Sequence, residues 1–290
     1  MSDDVMIRPA ASVADYLACQ DAQRLAWGIT DDSYVVPLAT LVGAQHHGGL
    51  VLGAFRDDGS AVGLSFAFLG KVGGRLCLYS QLTGIIPDYQ RRGLGSRFKL
   101  AQREFCRREG INLIAWSFDP LQSKNAHFNI HRLGATSTRL IEDMYGRRTD
   151  ALNAGTSTDR LIVEWPTTGE LADQPAPEAA WGTPTPADWA DYPRLITLRD
   201  RPDGAVEPTE VNPSCLRDPF PVLLQIPANV AAIRRDDPPR AEAWSRAVRE
   251  AFQLAFEAGR VADGFLRDEQ PTRRRYFYVL RSRADSQQAP

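Results

Sequence analysis

Four cysteines in 290 residues exclude more than they offer. Cys19, Cys77, Cys106 and Cys215 form no CxxC pair and have no histidine at zinc-ligand spacing. Neither a disulfide framework nor a zinc site is therefore readable, and the thiols read as small buried side chains of a reducing compartment. Long apolar runs are also missing; none approaches the roughly 20 residues that cross a bilayer. The opening MSDDVMIRPAASVADY has acids where a signal peptide has bases, and no apolar core follows, so a cytoplasmic protein is expected. Excess positive charge is lacking too. The net charge of −2 leaves no global field to recruit nucleic acid or a membrane surface. Two phosphate signatures are absent as well. GxxxxGK[ST] does not occur, and GLGSRF has Phe98 where a dinucleotide fingerprint has its third glycine.

What remains is an ordinary globular composition, 43% hydrophobic and 24% charged. Residues 1–165 alternate strand and helix patterns. Val5 to Arg8 reads as a strand, and Ser12 as the cap of a helix that runs to Trp27 and exits at Gly28. Pro37 opens a second helix ending near Gly48-Gly49, where His46 and His47 read as caps or surface. LVLGAF (50–55) and AVGLSFAFLG (61–70) are strands joined across Asp58-Gly59, and LCLYSQLTGIIP (76–87) is a third. A helix with Leu94, Phe98, Ala101, Phe105 and Cys106 on its apolar stripe follows. Then come INLIAWSF (111–118), a helix over 125–133, and strands near 139–144 and 160–165. Residues 166–219 are proline-rich and aperiodic, a linker that Trp189, Trp181 and Tyr192 mark as partly docked. Residues 220–290 return to a strand, a helix capped at Asp236 or Asp237 and closed at Gly259, and two more strands. This last unit reads as either a degenerate half-copy of the first domain, without its glycine turn, or a convergent strand-helix-strand unit. The fold class expected is mixed α/β.

The stretch IIPDYQRRGLGSRFKLAQREF (85–105) carries the chemistry. Gly93 and Gly95 let ligand oxygens approach the backbone, because no Cβ stands in the way. The unpaired N–H groups that begin the next helix point to the same place, and the helix dipole adds positive potential. Arg91 and Arg92 supply charge for phosphate oxygens. Basic residues continue along that helix (Arg97, Lys99, Arg103, Arg107, Arg108). Arg273, Arg274 and Arg275 read instead as a solvated face.

Gln90-Arg91-Arg92-Gly93-Leu94-Gly95 resembles the [QR]-x-x-G-x-[GA] signature of the GNAT acyl-CoA N-acyltransferase superfamily. The approach IIPDYQ and the RLGA turn at 132–135 are similar to that family too. More closely, AQRLAWG, GGLVLGAF, FKLAQREF, FDPLQSKNAHFNIHRLGA, DALNAG and TDRLIVEW resemble a bacterial branch of predicted GNAT acyltransferases. That branch has a C-terminal extension like PVLLQIPAN and AWSRAVREAF. The resemblance implies a mostly antiparallel sheet flanked by helices, with acyl-CoA as co-substrate. It places the pyrophosphate on Gln90, Arg91, Arg92, Gly93, Leu94, Gly95 and Ser96. The pantetheine arm lies along Gly84, Ile85 and Ile86 of a strand that splays from its neighbour, and Asn125 bonds the arm. Gly84 also reads as a bulge, and Asn125 as a helix N-cap.

The reaction implied is direct transfer of an acyl group, acetyl or succinyl, to the amine of a small molecule or amino acid. The family's usual general-acid tyrosine falls on Ile130 here. Candidate acid and base groups are Tyr79, Gln81, His127, His131 and Tyr145, with Ser80, Glu142 and Asp143 near them. His127 and His131, four apart, share a helix face; no third ligand accompanies them, so no metal is expected. Asp119 reads as an Asx turn. Arg139, Arg147, Arg148 and Arg160 could meet an acceptor carboxylate. A monomer or homodimer is expected, with no nucleic-acid or membrane partner. The alternatives are a coenzyme A-binding sensor without catalysis, and a protein lysine or N-terminal acetyltransferase.

Overall fold

The computed structural model describes residues 5–146, 157–168, 189–270 and 273–283, with the side chains of Gln270 and Arg273 left aside. The chain divides into two compact units: Met1–Trp116 with Pro166–Ala172, and Ser117–Trp165 with Asp173–Pro290. The division falls inside a strand, whereas the sequence-based boundaries were placed at 165 and 219.

The first unit is a sheet in the order β1 (Met6–Pro9), β2 (Leu50–Phe55), β3 (Ala61–Val72), β4 (Arg75–Ile85) and β5 (Leu113–Phe118, in this unit as far as Trp116). Neighbours are antiparallel except β4 and β5, which run parallel because α3 (Leu94–Arg108) lies between them in the chain. Strand side chains alternate between faces. Leu64 and Phe66 of β3 join Val51 and Phe55 of β2 in a core shared with Tyr16, Cys19 and Ala22 of α1 (Val13–Trp27) and Leu41 of α2 (Leu38–His46). Ser65 turns to the other face, toward α3.

The helix ends follow their sequence signals. Ser12 Oγ accepts the Asp15 N–H, and Gly28 exits left-handed at φ 61°. Pro37 is the N-cap of α2, one position before the expected first turn, and His46 and His47 close that helix. The buried face of α3 is rotated from the expected stripe. Leu94, Phe98, Lys99, Gln102 and Cys106 are buried, while Ala101 and Phe105 are half-buried. Thr167 anchors the returning chain to this unit: its N–H donates to the Asn112 carbonyl and its Oγ1 to that of Ile111.

The second unit holds a sheet in the order β7 (Arg160–Pro166, in this unit as far as Trp165), β6 (Thr136–Ile141), β11 (Arg260–Gln270), β12 (Arg273–Ser282) and β10 (Val222–Ile226). Helix α6 (Pro238–Glu257), capped by Asp237, packs Phe252 edge-on to Tyr278 of β12. On the opposite face of β12, Phe277 meets Trp189 at 5.1 Å. Trp189 packs with Leu223, Phe277 and Val279, and Tyr192 lies against them; Trp181 lies outside the described residues. That stretch is not all linker. It contains the hairpin β8 (Ile196–Asp200) and β9 (Val206–Val211), which Leu195 ties to Leu223 of β10 by backbone bonds. Short α5 (Val230–Asp236) precedes α6. β10 and β11 do not pair across their helix as β4 and β5 do, because β12 is inserted between them.

Candidate functional site

In the first unit, β4 changes register beside β3 so that Phe66 faces Leu82 and Ala67 faces Ser80, leaving Gln81 as an inserted bulge residue. Gln81 is exposed and pairs with no β3 residue. At the same level β4 loses its other neighbour. The β4–β5 ladder comprises Leu78 with Ile114 and Tyr79 with Ala115, and Ser80 to Ile85 continue without a β5 partner among the described residues. An open parallel edge with unused peptide groups is the result.

Alternation decides which of these groups face the opening. The Ile86 N–H donates to the Val62 carbonyl at 3.0 Å, so Ile86 and Gly84 address β3. Thr83 and Ile85 address the open side. Of the three expected arm-binding positions, Ile85 alone presents its amide there, and Thr83, not singled out from the sequence, joins it. Gly84 has a separate explanation. A Cβ on it would stand 2.5 Å from the Trp27 ring and 3.0 Å from Ala26 Cβ, so the close approach it permits is that of α1.

Past the strand, Pro87–Tyr89 forms one 3₁₀ turn, and Arg91 (φ 63°) and Gly93 (φ 77°) both take left-handed conformations before α3 begins. Such alternation curls successive N–H groups toward a common point, a nest suited to an anion. Arg91 pays strain for this position, as a non-glycine residue at positive φ. The first amides of α3, at Leu94, Gly95 and Ser96, have no intrahelical acceptor and point the same way. Nothing lies within 4 Å of where a Gly93 Cβ would project. Arg91 is exposed, and Arg92 is stacked on the Tyr89 ring at 4.5 Å. Gln90 behaves differently from its neighbours: its Nε2 donates to the Ile85 carbonyl at 3.1 Å, so it secures the end of β4.

Beneath β4 lies a polar cluster that the sequence reading did not assemble. Lys99 Nζ donates to Ser80 Oγ at 3.1 Å and stands 3.6 Å from the centre of the Trp116 ring. Burial pushes its ammonium pKa down to about 7. Gln102 Nε2 donates to Ser80 Oγ at 2.9 Å and to Ser65 Oγ at 2.7 Å, and Ser65 Oγ meets Thr83 Oγ1 at 2.9 Å. Tyr79 turns to the opposite face of the strand, its ring 5.5 Å from that of Phe68.

The remaining candidates belong to the second unit. Its helix α4 is one α-helical turn, Ser123–Ala126, that widens into a π-helix at His127–Arg132. Gln122 is the N-cap; Asn125 is inside the helix with an exposed side chain, so the capping role does not apply. His127 and His131 do share a face, with rings stacked at 4.8 Å. Arg267 Nη1 approaches His127 Nε2 at 3.4 Å. His127, Lys124, Arg267, Glu269, Arg274 and Tyr276 line a hollow of about 520 Å³. Ile130 is fully buried, an apolar core residue with no proton to give.

Tyr145 is half exposed, its hydroxyl 3.4 Å from Ser117 Oγ and its ring under Arg160 at 5.2 Å. Glu142 and Asp143 are ion-paired with Arg249, which also holds Asp159; they stabilise the unit and are poorly placed to act as bases. Asp119 forms the expected Asx turn to Leu121 N–H and in addition binds Arg234 at 2.7 Å. Arg275 of the C-terminal cluster pairs with buried Asp268 and is not a free solvated charge. Arg147 and Arg148 lie outside the described residues. Among those described, no group of three or more His, Cys, Asp or Glu is arranged to hold a metal ion.

No family model matches the chain, and no curated protein matches it. Solved structures that it resembles include a ribosomal-protein-S18-alanine N-acetyltransferase from Escherichia coli, with 19% identity and a TM-score of 0.44 over 58% of this chain and 97% of that one. Another is a GNAT superfamily phosphinothricin acetyltransferase from Sinorhizobium meliloti in complex with acetyl-CoA, at 14% identity and 0.46 over 59% and 93%. An N-acetyltransferase from Staphylococcus aureus is similar at 12% identity and 0.45, over 57% and 100%.

Proposed function

We propose that this protein is an acyl-CoA-dependent N-acyltransferase of the GNAT type, acting on the amine of a small molecule or amino acid. The observation that carries this reading is a coincidence within one unit. The strand that loses its parallel neighbour after Tyr79 leads directly into the left-handed turn at Arg91 to Gly93 and the N-terminus of α3. Coenzyme A has both matching parts, a pyrophosphate and an arm with amide groups.

In this reading the pyrophosphate rests on the amides of Leu94, Gly95 and Ser96, with Arg91 and Arg92 neutralising its charge. The arm pairs with the free edge of β4 at Thr83 and Ile85. One of those N–H groups then faces the thioester oxygen and steadies the negative charge that develops as the amine nitrogen bonds to the carbonyl carbon. Collapse breaks the carbon–sulfur bond; the amine nitrogen gives up a proton to solvent, and the thiolate leaves with one supplied from solvent or a nearby acid. The candidate proton donors Tyr145, His127 and His131 all belong to the second unit. Lys124, Arg267 and Arg274 around His127 suit an acceptor bearing a carboxylate.

A second reading is favoured by Ile130, whose buried apolar side chain replaces the family's acid: a coenzyme A-binding protein that does not catalyse transfer. One experiment addresses both. Thiol release is followed with acetyl-, propionyl- and succinyl-CoA against amino acids, simple amines and a lysine peptide, beside direct titration of coenzyme A. Amine-dependent release supports the enzyme, and turnover on the peptide alone would move the acceptor to proteins. Binding without release supports the second reading. In the variant Gly93→Asp, the new carboxylate projects into the open space of the turn, and an aspartate tolerates the left-handed backbone. Binding should weaken at least about a hundredfold, two units of about 1.4 kcal/mol; unaltered affinity rejects the turn as the phosphate site.

A further inference from the structure

The β4–β5 ladder ends at Tyr79 and Ala115, and the next residue on each strand is held by one side chain of α3. That side chain is Lys99, which binds Ser80 through its hydroxyl and Trp116 through the face of its ring. Lys99 is only 5% exposed, and no carboxylate among the described residues is paired with it. A buried amine without a counter-ion is costly, and a methionine or leucine would fill the same volume at less cost. Its neighbours give the amine a geometric role. Gln102 grips the same Ser80 hydroxyl and carries the chain of contacts to Ser65 and Thr83, so that the polar line joins both sides of the bulge at Gln81. Trp116, Lys99, Ser80, Gln102, Ser65 and Thr83 together brace the base of the opening.

We propose that Lys99 is a positioning residue for the pantetheine arm: it fixes the point at which β4 parts from β5, and with it the width of the edge where Thr83 and Ile85 offer their amides. The inference rests on the acyl-CoA reading above, and its test separates the two. Wild type, Lys99→Met, Ser80→Ala and the double variant are titrated calorimetrically with two probes. One is coenzyme A; the other is adenosine 3′-phosphate 5′-diphosphate, the same molecule without its arm. Lys99→Met should lose about tenfold or more in affinity for coenzyme A while holding the armless nucleotide within about twofold. Ser80→Ala, which removes the hydroxyl that Lys99 and Gln102 share, should show part of that loss, and the double variant should lose less than the two single variants summed, because the Lys99–Ser80 contact is counted in both.

Unchanged coenzyme A affinity in Lys99→Met overturns the proposal. So does an equal loss for both probes, which marks a general structural role. Should wild type bind neither probe, the acyl-CoA reading itself falls and the proposal with it. Thermal melting of Lys99→Met at or above the wild-type midpoint shows that the variant is folded.

Discussion

Lys99 also has a signature in stability. Its folded pKa is about 7 against 10.5 for an ordinary lysine, so between those values the unfolded chain binds more protons than the folded one. Stability should therefore rise with pH across that window, and below pH 7 the full penalty applies, on the order of 5 kcal/mol. Lys99→Met is expected to be more stable than wild type at pH 6, by up to that amount, and to converge with it by pH 10. Urea midpoints at both pH values check this; a wild-type midpoint that does not rise relative to the variant contradicts the neutral buried amine. Helical spacing could have flagged the residue, since Gly95, Lys99, Gln102 and Cys106 repeat at three and four along α3. A lysine and a glutamine carry no apolar signal in that row, and only the tertiary partners Ser80 and Trp116 reveal that it faces inward. Arg91 is the converse case. Its charge and its place in the motif were legible, but its left-handed backbone was not, since positive φ is announced by glycine and hidden by arginine.

Among the elements, β4 was legible as a strand, whereas its bulge, offered at Gly84, falls at Gln81. A one-residue insertion leaves the apolar alternation of LCLYSQLTGII nearly intact, and the register depends on what β3 presents opposite it. The bulge decides which amides face the opening, so the segment was legible as a strand while the facing of its individual amides was not. Gly84 illustrates the same limit. Its weak strand propensity suggested a ligand close by, and the ring of Trp27 is what stands there. Gly84→Ala should cost about 1–3 kcal/mol through overpacking. In a Trp27→Ala background the further loss should shrink below about 1 kcal/mol, with coenzyme A affinity retained. Loss of affinity in that double variant would return Gly84 to the ligand. The π-helix of α4 was likewise hidden, because His127 and His131 meet on one face with either an α or a π turn.

For the whole molecule, strand and helix order over residues 5–165 could be read from periodicity and caps, but the grouping into units could not. Compactness is a matter of contacts distant in sequence, and the second unit shows several. Ala262 of β11 pairs with Ser137 of β6, Arg249 reaches Asp159, and the Tyr278 hydroxyl donates to the Pro120 carbonyl at 2.8 Å. Deleting residues 221–290 removes β10, α6, β11 and β12 from a unit that begins at Ser117. The remaining fragment should be recovered mainly in the insoluble fraction, and a soluble, monodisperse fragment of residues 1–165 would refute the dependence.

The interruption at Trp116 bears on how the chain is made. A ribosome releases residues in order, so the first unit waits for Thr167 to arrive at Ile111 and Asn112, some fifty residues after its last strand. Completing the second unit waits for β12, which closes only at Ser282. Neither unit can finish as a nascent domain before the next begins. Chaperone dependence during synthesis should therefore exceed that of a protein whose domains follow one another along the chain.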